Sequence, residues 1–377
     1  MRSDVINLLK DLVAIDSVNP SLVLGGAGES EIAGYVSGWA DAAGLETQVL
    51  EATAGRPSVL VRGGDRRGGR TLMLCGHLDT VGVGGMTDSL TPRIDGDRIY
   101  GRGTYDMKGG LAAGLVACRD AARAGIAGEV VVAAVADEEH ASIGVQEVLG
   151  QVRTDAAIVT EPTELAVATA HKGFVWVEIH VAGKAAHGSR PHLGVDAILR
   201  TGPVLVALDE LNSRLGEHQH PRLGPGTLHA SLIHGGREES TIPDRCVLTL
   251  ERRTLPGETV ADVERDIADL LDRCRAADPA LAATSRTTMA RQPFQTPDAE
   301  PVVRAVVDAV TGTIGRTAEL SGVSYWADSA FIAAAGIPTV LFGPAGEGAH
   351  AEVEWASLDG VVACAEILTA VARSFCR

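Results

Sequence analysis

Five short segments carry side chains that bind metals or move protons. His77-Leu78-Asp79 comes directly after the apolar run Thr71–Gly76. Asp106 sits in the glycine-rich stretch Gly101-Arg102-Gly103-Thr104-Tyr105-Asp106-Met107-Lys108-Gly109-Gly110. Asp137-Glu138-Glu139-His140 closes the run Val130–Ala136, and Thr160-Glu161-Pro162 follows Ala156–Val159. Gly348-Ala349-His350 comes soon after Val340-Leu341-Phe342-Gly343. In open α/β sheets, ligands bind beyond the carboxyl ends of the strands. Each segment therefore places a candidate group where such a sheet builds its site.

Taken singly, each segment has an ordinary reading. Asp106 is an acceptable helix cap, the three acids make a solvated turn, and His350 is a surface histidine. Together they are harder to dismiss, because acids crowded at the end of a buried strand repel one another unless cations or protons intervene. Two imidazoles and three carboxylates form a nitrogen and oxygen donor set that suits Zn²⁺, and also Mn²⁺ or Co²⁺. Neighbouring residues of an extended chain point to opposite sides. Glu138 and Glu139 should therefore divide the work, one binding metal and the other facing a substrate water. A metal-ligating histidine usually donates its second N–H to a carboxylate, and Asp79 stands two residues from His77.

The elements that must position these groups follow from periodicity. Val5, Leu8, Leu9 and Leu12 predict a helix from about Ser3 to Ala14, with Ser3 as its cap. A second helix follows Ser30 and stops at Gly44. Ser58–Arg62, Thr71–Gly76 and Val130–Ala136 read as strands, the last two covered on both faces, and Met107–Ala124 reads as a helix. The alternation predicts an α/β core with a mainly parallel sheet. From Gly173 the pattern changes. Phe174–Val181 alternates apolar and polar residues, and the elements that follow run β-α-β-β-α-β, the ferredoxin-like order. Residues 174–288 are therefore expected as an inserted α+β domain. Residues 1–173 and 289–377 are expected as one discontinuous α/β domain.

These motifs resemble the metallohydrolase family that includes acetylornithine deacetylase, succinyl-diaminopimelate desuccinylase, aminoacylase and carboxypeptidase G. The matching residues are GHLDT (76–80), GRGTYDMKGG (101–110), DEE (137–139), TEP (160–162), GKAAHGSRP (183–191) and GAH (348–350). The resemblance implies a zinc-peptidase-like catalytic domain beneath a ferredoxin-like lid that also dimerises. It implies that His77, Asp106 and Glu161 hold one divalent ion and that Glu139, His350 and the bridging Asp106 hold a second. Zn²⁺ is the leading candidate metal, with Co²⁺ or Mn²⁺ as others. In the same terms Asp79 orients His77, Glu138 is the general base, and the Asp106–Met107 peptide is cis. His187 resembles the residue that stabilises the oxyanion, and Arg253 the one that pairs with a substrate carboxylate, with Arg252 as its neighbour and competitor. Ser240 stands where relatives often carry Asn. His229 and Ser189 are further candidates to line the substrate site. Closure of the lid is expected to bend the chain near Gly173 and Met289.

The implied activity is removal of an acyl group from an N-acyl amino acid. A carboxypeptidase or dipeptidase with the same centre is the alternative within the enzymes. A metal-dependent binding protein without catalysis is the alternative outside them, and a general base such as Glu138 would have no use there. The composition fits these readings. The chain has 377 residues, a net charge of −16 and no long apolar run, which argues against nucleic acid and membrane partners. Six scattered cysteines without a C-x-x-C pair, and an N-terminus unlike a signal peptide, predict free thiols and a cytoplasmic protein, and the resemblance implies a homodimer through the lid.

Overall fold

Apolar runs that lack alternation become strands with no exposed face. In the computed structural model, which describes all residues from Met1 to Arg377, the chain opens with helices α1 (Arg2–Val13) and α2 (Ser30–Ala42). Strands β1 (Glu46–Leu50), β2 (Ser58–Gly63) and β3 (Thr71–His77) follow. Short strands β4 (Arg93–Asp95) and β5 (Arg98–Tyr100) lead to α3 (Gly109–Arg123), β6 (Glu129–Val135), α4 (Ile143–Gln151), β7 (Ala156–Val159) and β8 (Val167–His171). Every residue of β6 is buried, as are all of β3 beyond Thr71. The chain closes with α7 (Pro301–Ile314), β16 (Leu320–Val323), α8 (Ser329–Ala334), β17 (Thr339–Leu341), β18 (Gly346–Glu347), β19 (Trp355–Ser357) and α9 (Leu358–Phe375). Helices α5 and α6 and the strands numbered between β8 and β16 belong to the middle of the chain, described below.

The central sheet is mixed. β6, β3, β7 and β17 lie side by side and parallel. β2 and β1 continue the sheet antiparallel on the β6 side, and β8 pairs antiparallel with β17 on the other. The expected parallel pairing therefore holds for the buried centre, where the site residues are attached. Helices α1, α3, α7 and α9 share one large core with these strands. On α1 the buried residues are Val5, Leu8, Leu9, Leu12 and Val13, a stripe at helical spacing.

Two local expectations fail. The N-cap of α1 is Met1, with no side-chain capping bond, and the Ser3 hydroxyl turns to Asp4 instead. Helix α3 begins at Gly109, because Thr104–Lys108 forms a separate turn in which Asp106 and Met107 have non-helical dihedrals. Gly103 enters that turn at φ 81°, a conformation open to glycine.

The chain divides into two compact units, and the second comprises Ala170–Gln295 with Val323–Trp326. Its elements are β9 (Gly173–Ala182), α5 (Ala197–Leu215), the β10–β11 pair (Gln219–His220 and Gly224–Pro225) and β12 (Thr227–Gly235). β13 (Arg245–Thr254), α6 (Val260–Ala277), β14 (Ala282–Arg291) and β15 (Phe294–Gln295) follow. Its four-stranded sheet runs β12-β13-β9-β14 and is antiparallel throughout. Val175, Val177, Ile179 and Val181 of β9 and Leu248 and Leu250 of β13 form a core with Val204 and Leu208 of α5 and Val263 and Ile267 of α6. The unit is wider than the 174–288 stretch marked by pattern. Gly173 and Met289 lie within paired strands and not at the crossings between units. The alternation begins at Phe174, but the entirely buried β8 before it gives no cue to where one core ends. No helix is long and apolar enough to cross a membrane.

Close approach makes one glycine indispensable. A Cβ on Gly110 of α3 would fall 1.9 Å from the carbonyl oxygen of Thr160, which forces α3 away from the strand end that carries Glu161. Gly110→Ala should destabilise the protein by about 1–3 kcal/mol, read as a lower urea midpoint. Gly38→Ala, in α2 with nothing within 4 Å of the added atom, should raise stability by about 0.5–1 kcal/mol.

Candidate metal centre

Parallel strands bring their carboxyl ends to one edge. His77 is the last residue of β3 and pairs with Val135 of β6, so the turn Asp137–Glu139 opens beside it. Val159 of β7 pairs with Cys75, which sets Glu161 on the other side. The loop after β5 supplies Asp106, and the turn between β18 and β19 supplies His350. His77 Nε2 lies 3.2 Å from Asp106 Oδ1 and 3.9 Å from Glu161 Oε1. His350 Nε2 lies 3.3 Å from Asp106 Oδ2 and 3.1 Å from Glu139 Oε2. Each oxygen of Asp106 thus faces a different imidazole. Ligand atoms of His77, Glu138 and Glu161 fall within 4.8 Å of one another, as do those of His77, Asp106 and Glu139. The Asp106–Met107 peptide is cis.

Burial and mutual repulsion dominate the electrostatics. Burial first, and neighbouring carboxylates second, push Glu138 and Glu161 well above the usual carboxylate range. Glu139 is raised by burial and by Asp106. Burial works against the charge on Asp106 as well, but the bonds from His350 and His77 outweigh it and hold the group below its ordinary value. Burial opposes the charge on His77, yet the Asp106 bond and the charges of Glu161 and Glu138 raise it well above normal. Bonds to Asp106 and Glu139 push His350 up to about 10. The pocket therefore holds more negative charge than it can balance without cations or bound protons. Glu139 Oε1 is buried and has no hydrogen-bond partner. An orphaned oxygen, crowded acids and two imidazoles fit divalent metal ions, which would replace the protons on both histidines.

A second layer sets the angles of the first. The His77 Nδ1–H donates to the backbone carbonyl of Asp79 at 2.8 Å, while the Asp79 carboxylate stands 3.7 Å away. Since a carbonyl can only accept, Nδ1 keeps its proton, and a ring that gave up its second proton to a metal would turn its Nε2 lone pair to the cluster. Asp79 thus holds His77 through its backbone carbonyl, with the carboxylate at ion-pair distance and shared with the next turn. Its oxygens accept from Asn19 Nδ2 at 2.8 Å and from the backbone N–H groups of Glu138 at 3.1 Å and Glu139 at 3.2 Å. Asp137, at φ 65°, makes this turn possible and accepts from Asn19 and from Arg56 Nη2. Arg56 also forks onto Glu29 at 2.6 and 2.7 Å. Asn19, Glu29 and Arg56 carry no motif in the sequence. Their partners lie far along the chain, so spacing gives no sign of them.

In the second unit the candidates form two groups. His187 bridges to Thr241, and Gly188 donates its N–H to the Ser240 carbonyl at 2.8 Å, so Ser240 lies beside the His187 loop. The Ser189 backbone N–H donates to His187 Nδ1 at 3.2 Å, and the Ser189 hydroxyl lies 2.9 Å from the same nitrogen. An accepting Nδ1 puts the ring proton on Nε2. Arg253 and His229 lie on the sheet face opposite the helices. Arg253 Nε donates to Glu251 at 2.7 Å, its guanidinium lies over Phe174, and His229 pairs in register with Glu251. Arg252 points the other way, is buried and is bound to Glu258. The period of the strand removes it as a competitor.

The profile of peptidase family M20/M25/M40 matches residues 73–374. The chain belongs to this family. Acetylornithine deacetylase of Photorhabdus laumondii is 30% identical over 383 residues, covering 98% of this chain and 97% of that protein. The Myxococcus xanthus acetylornithine deacetylase is 30% identical over 384 residues, covering 98% and 96%. Among solved structures, aminopeptidase PepT from Bacillus cereus matches with a TM-score of 0.84 at 20% identity, covering 100% of this chain and 99% of that one. The M20-family metallo-carboxypeptidase Sso-CP2 from Sulfolobus solfataricus matches at 0.80 with 18% identity, covering 99% of each chain. These structural likenesses establish the fold.

This M20/M25/M40 member is a metal-dependent hydrolase of amide bonds, and its acidic cluster is a candidate for the metal centre. The Glu29–Arg56–Asp137 network beneath it is nearly inaccessible to water, with Glu29 fully buried. Arg56→Met would leave two buried carboxylates without a counter-charge. Stability should fall by about 3–5 kcal/mol, measured by urea denaturation.

Proposed function

We propose that this chain removes the acyl group from an N-acyl amino acid of the acetylornithine type, using two divalent ions, Zn²⁺ first among them and Co²⁺ or Mn²⁺ as substitutes. The observation that carries the reading is the full-length 30% identity to acetylornithine deacetylases, joined to a half-buried Glu138 beside the ligand cluster. His77, Asp106 and Glu161 would hold one ion and Glu139, His350 and Asp106 the other. Bound divalent ions supply Lewis-acid chemistry, a lowered water pKa and a polarised carbonyl.

The chain's own residues do the rest. Glu138, whose desolvation raises its affinity for a proton, takes as carboxylate the proton of the attacking water and delivers it to the departing amine nitrogen. His187 Nε2–H donates to the oxyanion of the tetrahedral intermediate. Ser189 holds that tautomer from the far side of the ring. Arg253 pairs through its Nη groups with the carboxylate of the amino acid. Ser240 and His229 line the same site. Ser240 is short, so it reaches its substrate oxygen less far than the Asn of relatives would.

The second unit serves as the lid and as the dimerisation domain. β12 is the free edge of its sheet and exposes Leu232 and Ile233, and α5 exposes Leu199 and Val206. Two copies pairing through that edge would cover this apolar surface. The six cysteines are free and buried, as suits a homodimer in the reducing cytoplasm.

Three measurements test this. N-acetyl, N-succinyl and dipeptide substrates, each assayed with added Zn²⁺ or Co²⁺, should give the highest kcat/KM for an N-acyl amino acid. A preference for dipeptides would replace the deacylase with a peptidase. Glu138→Gln should keep its metal content and lose turnover by roughly 10²–10⁴-fold. Wild-type rates would remove Glu138 from the base role and leave a binding protein as the better description. His187→Ala should lower kcat by roughly 10²–10³-fold with little change in KM, and an unchanged kcat would exclude it from the reaction.

A further inference from the structure

The loop that presents Asp106 and the loop that presents His350 are joined by one buried carboxylate. Glu354 is fully buried. Its Oε1 accepts from the backbone N–H groups of Tyr105 at 2.9 Å and Asp106 at 3.0 Å. Its Oε2 accepts from the N–H of Gly103 at 3.0 Å and from Arg102 Nη1 at 2.8 Å. Arg102 then reaches back and donates Nη2 to the Ala351 carbonyl at 2.9 Å. The Gly101 N–H donates to the Glu354 carbonyl at 3.3 Å. Clustered backbone N–H groups around a positive-φ glycine form a concavity suited to an anion, and here the occupant is the protein's own carboxylate.

We propose that Glu354, held by Arg102, is a positioning residue that fixes Asp106 and His350 relative to each other for metal binding. The proposal rests on the dinuclear reading given above. Its physical content is the set of atoms that Glu354 binds. One donor is the backbone N–H of Asp106 itself. Another is Arg102, which also ties down Ala351, next to His350. The two side chains so presented meet at 3.3 Å between Asp106 Oδ2 and His350 Nε2. His350 is itself at φ 62° in a turn closed by the Ala351 N–H on the Gly348 carbonyl. The His350 ring is exposed and lies in a turn off the central sheet, whereas His77 and Glu161 stand at the ends of central strands. Glu354 should therefore matter most for the ion that His350 binds. A glutamine has the same size but turns an N–H₂ toward donors that need an acceptor.

The test is a Zn²⁺ titration of metal-free full-length protein against a chromophoric chelator, for wild type and Glu354→Gln. Wild type should show two sites. Glu354→Gln should weaken one of them by about 10–100-fold and the other far less. With Co²⁺ in place of Zn²⁺, the visible d–d bands should shift in Glu354→Gln. They should not shift in Val263→Ala, a core change in the second unit that lowers stability without touching the centre. Should Glu354→Gln fail to fold, Arg102→Lys serves instead. It keeps the charge and loses the second arm to Ala351, and one Zn²⁺ site should again weaken selectively. A folded Glu354→Gln, or a folded Arg102→Lys in its place, with both affinities and the Co²⁺ spectrum unchanged overturns the positioning role and leaves the two-ion reading intact. A wild type that binds no Zn²⁺ or Co²⁺ overturns the two-ion reading and the positioning role with it.

Discussion

Four carboxylates share one small pocket, and the chain is arranged around the repulsion among them. Two like charges about 4 Å apart repel by roughly 4 kcal/mol at the effective dielectric of a protein surface, and a pocket with several such pairs cannot stand unsupported. The support is of two kinds. Cations, or protons on His77 and His350, offset the charge inside the pocket. Behind it, backbone N–H groups and a buried arginine hold the acids where repulsion would otherwise spread them. Asp79 does this for Glu138 and Glu139, and Arg56 does it for Asp137. A metal site of this kind is a strained assembly of like charges stabilised by its ligand.

The sheet explains why such an assembly can form. Only parallel neighbours send consecutive strand ends to one edge, and β6, β3 and β7 are parallel. Antiparallel pairing of the same strands would scatter His77, Glu139 and Glu161 to opposite ends. The antiparallel margins of the sheet carry none of the cluster.

The parts of this arrangement that repeat with a period, or that sit directly after an apolar run, were legible in the sequence. His77, Asp106, Glu138, Glu139, Glu161 and His350 could all be named because each ends a readable element or sits in a glycine turn. What could not be read are the partners chosen by three-dimensional proximity. Asn19 meets Asp79 and Asp137 across long stretches of chain, Arg56 meets Glu29 and Asp137, and Glu354 meets Arg102. No local rule links these pairs. Adjacency marked Asp79 as the partner of His77, but not that the bond would run to its backbone carbonyl while its carboxylate takes the N–H groups of Glu138 and Glu139. The pattern of β13 was more informative than it looked, because alternation alone separates buried Arg252 from Arg253 on the other face. The limits of the second unit were blurred, since β8 is buried on every residue and offers no contrast at the border.

The first unit is assembled from both ends of the chain, with α9 in its core alongside α1 and α3. That places a condition on biosynthesis. A ribosome releases Ala170–Gln295 as one continuous stretch, and most of the second unit can take shape while translation is still under way. The first unit must wait for helix α9, and His350 emerges only after Ala170–Gln295. A nascent polypeptide thus carries its acids without the imidazole and the carboxylate, Glu354, that complete their enclosure. The acidic cluster cannot be enclosed before residue Glu354 has been made.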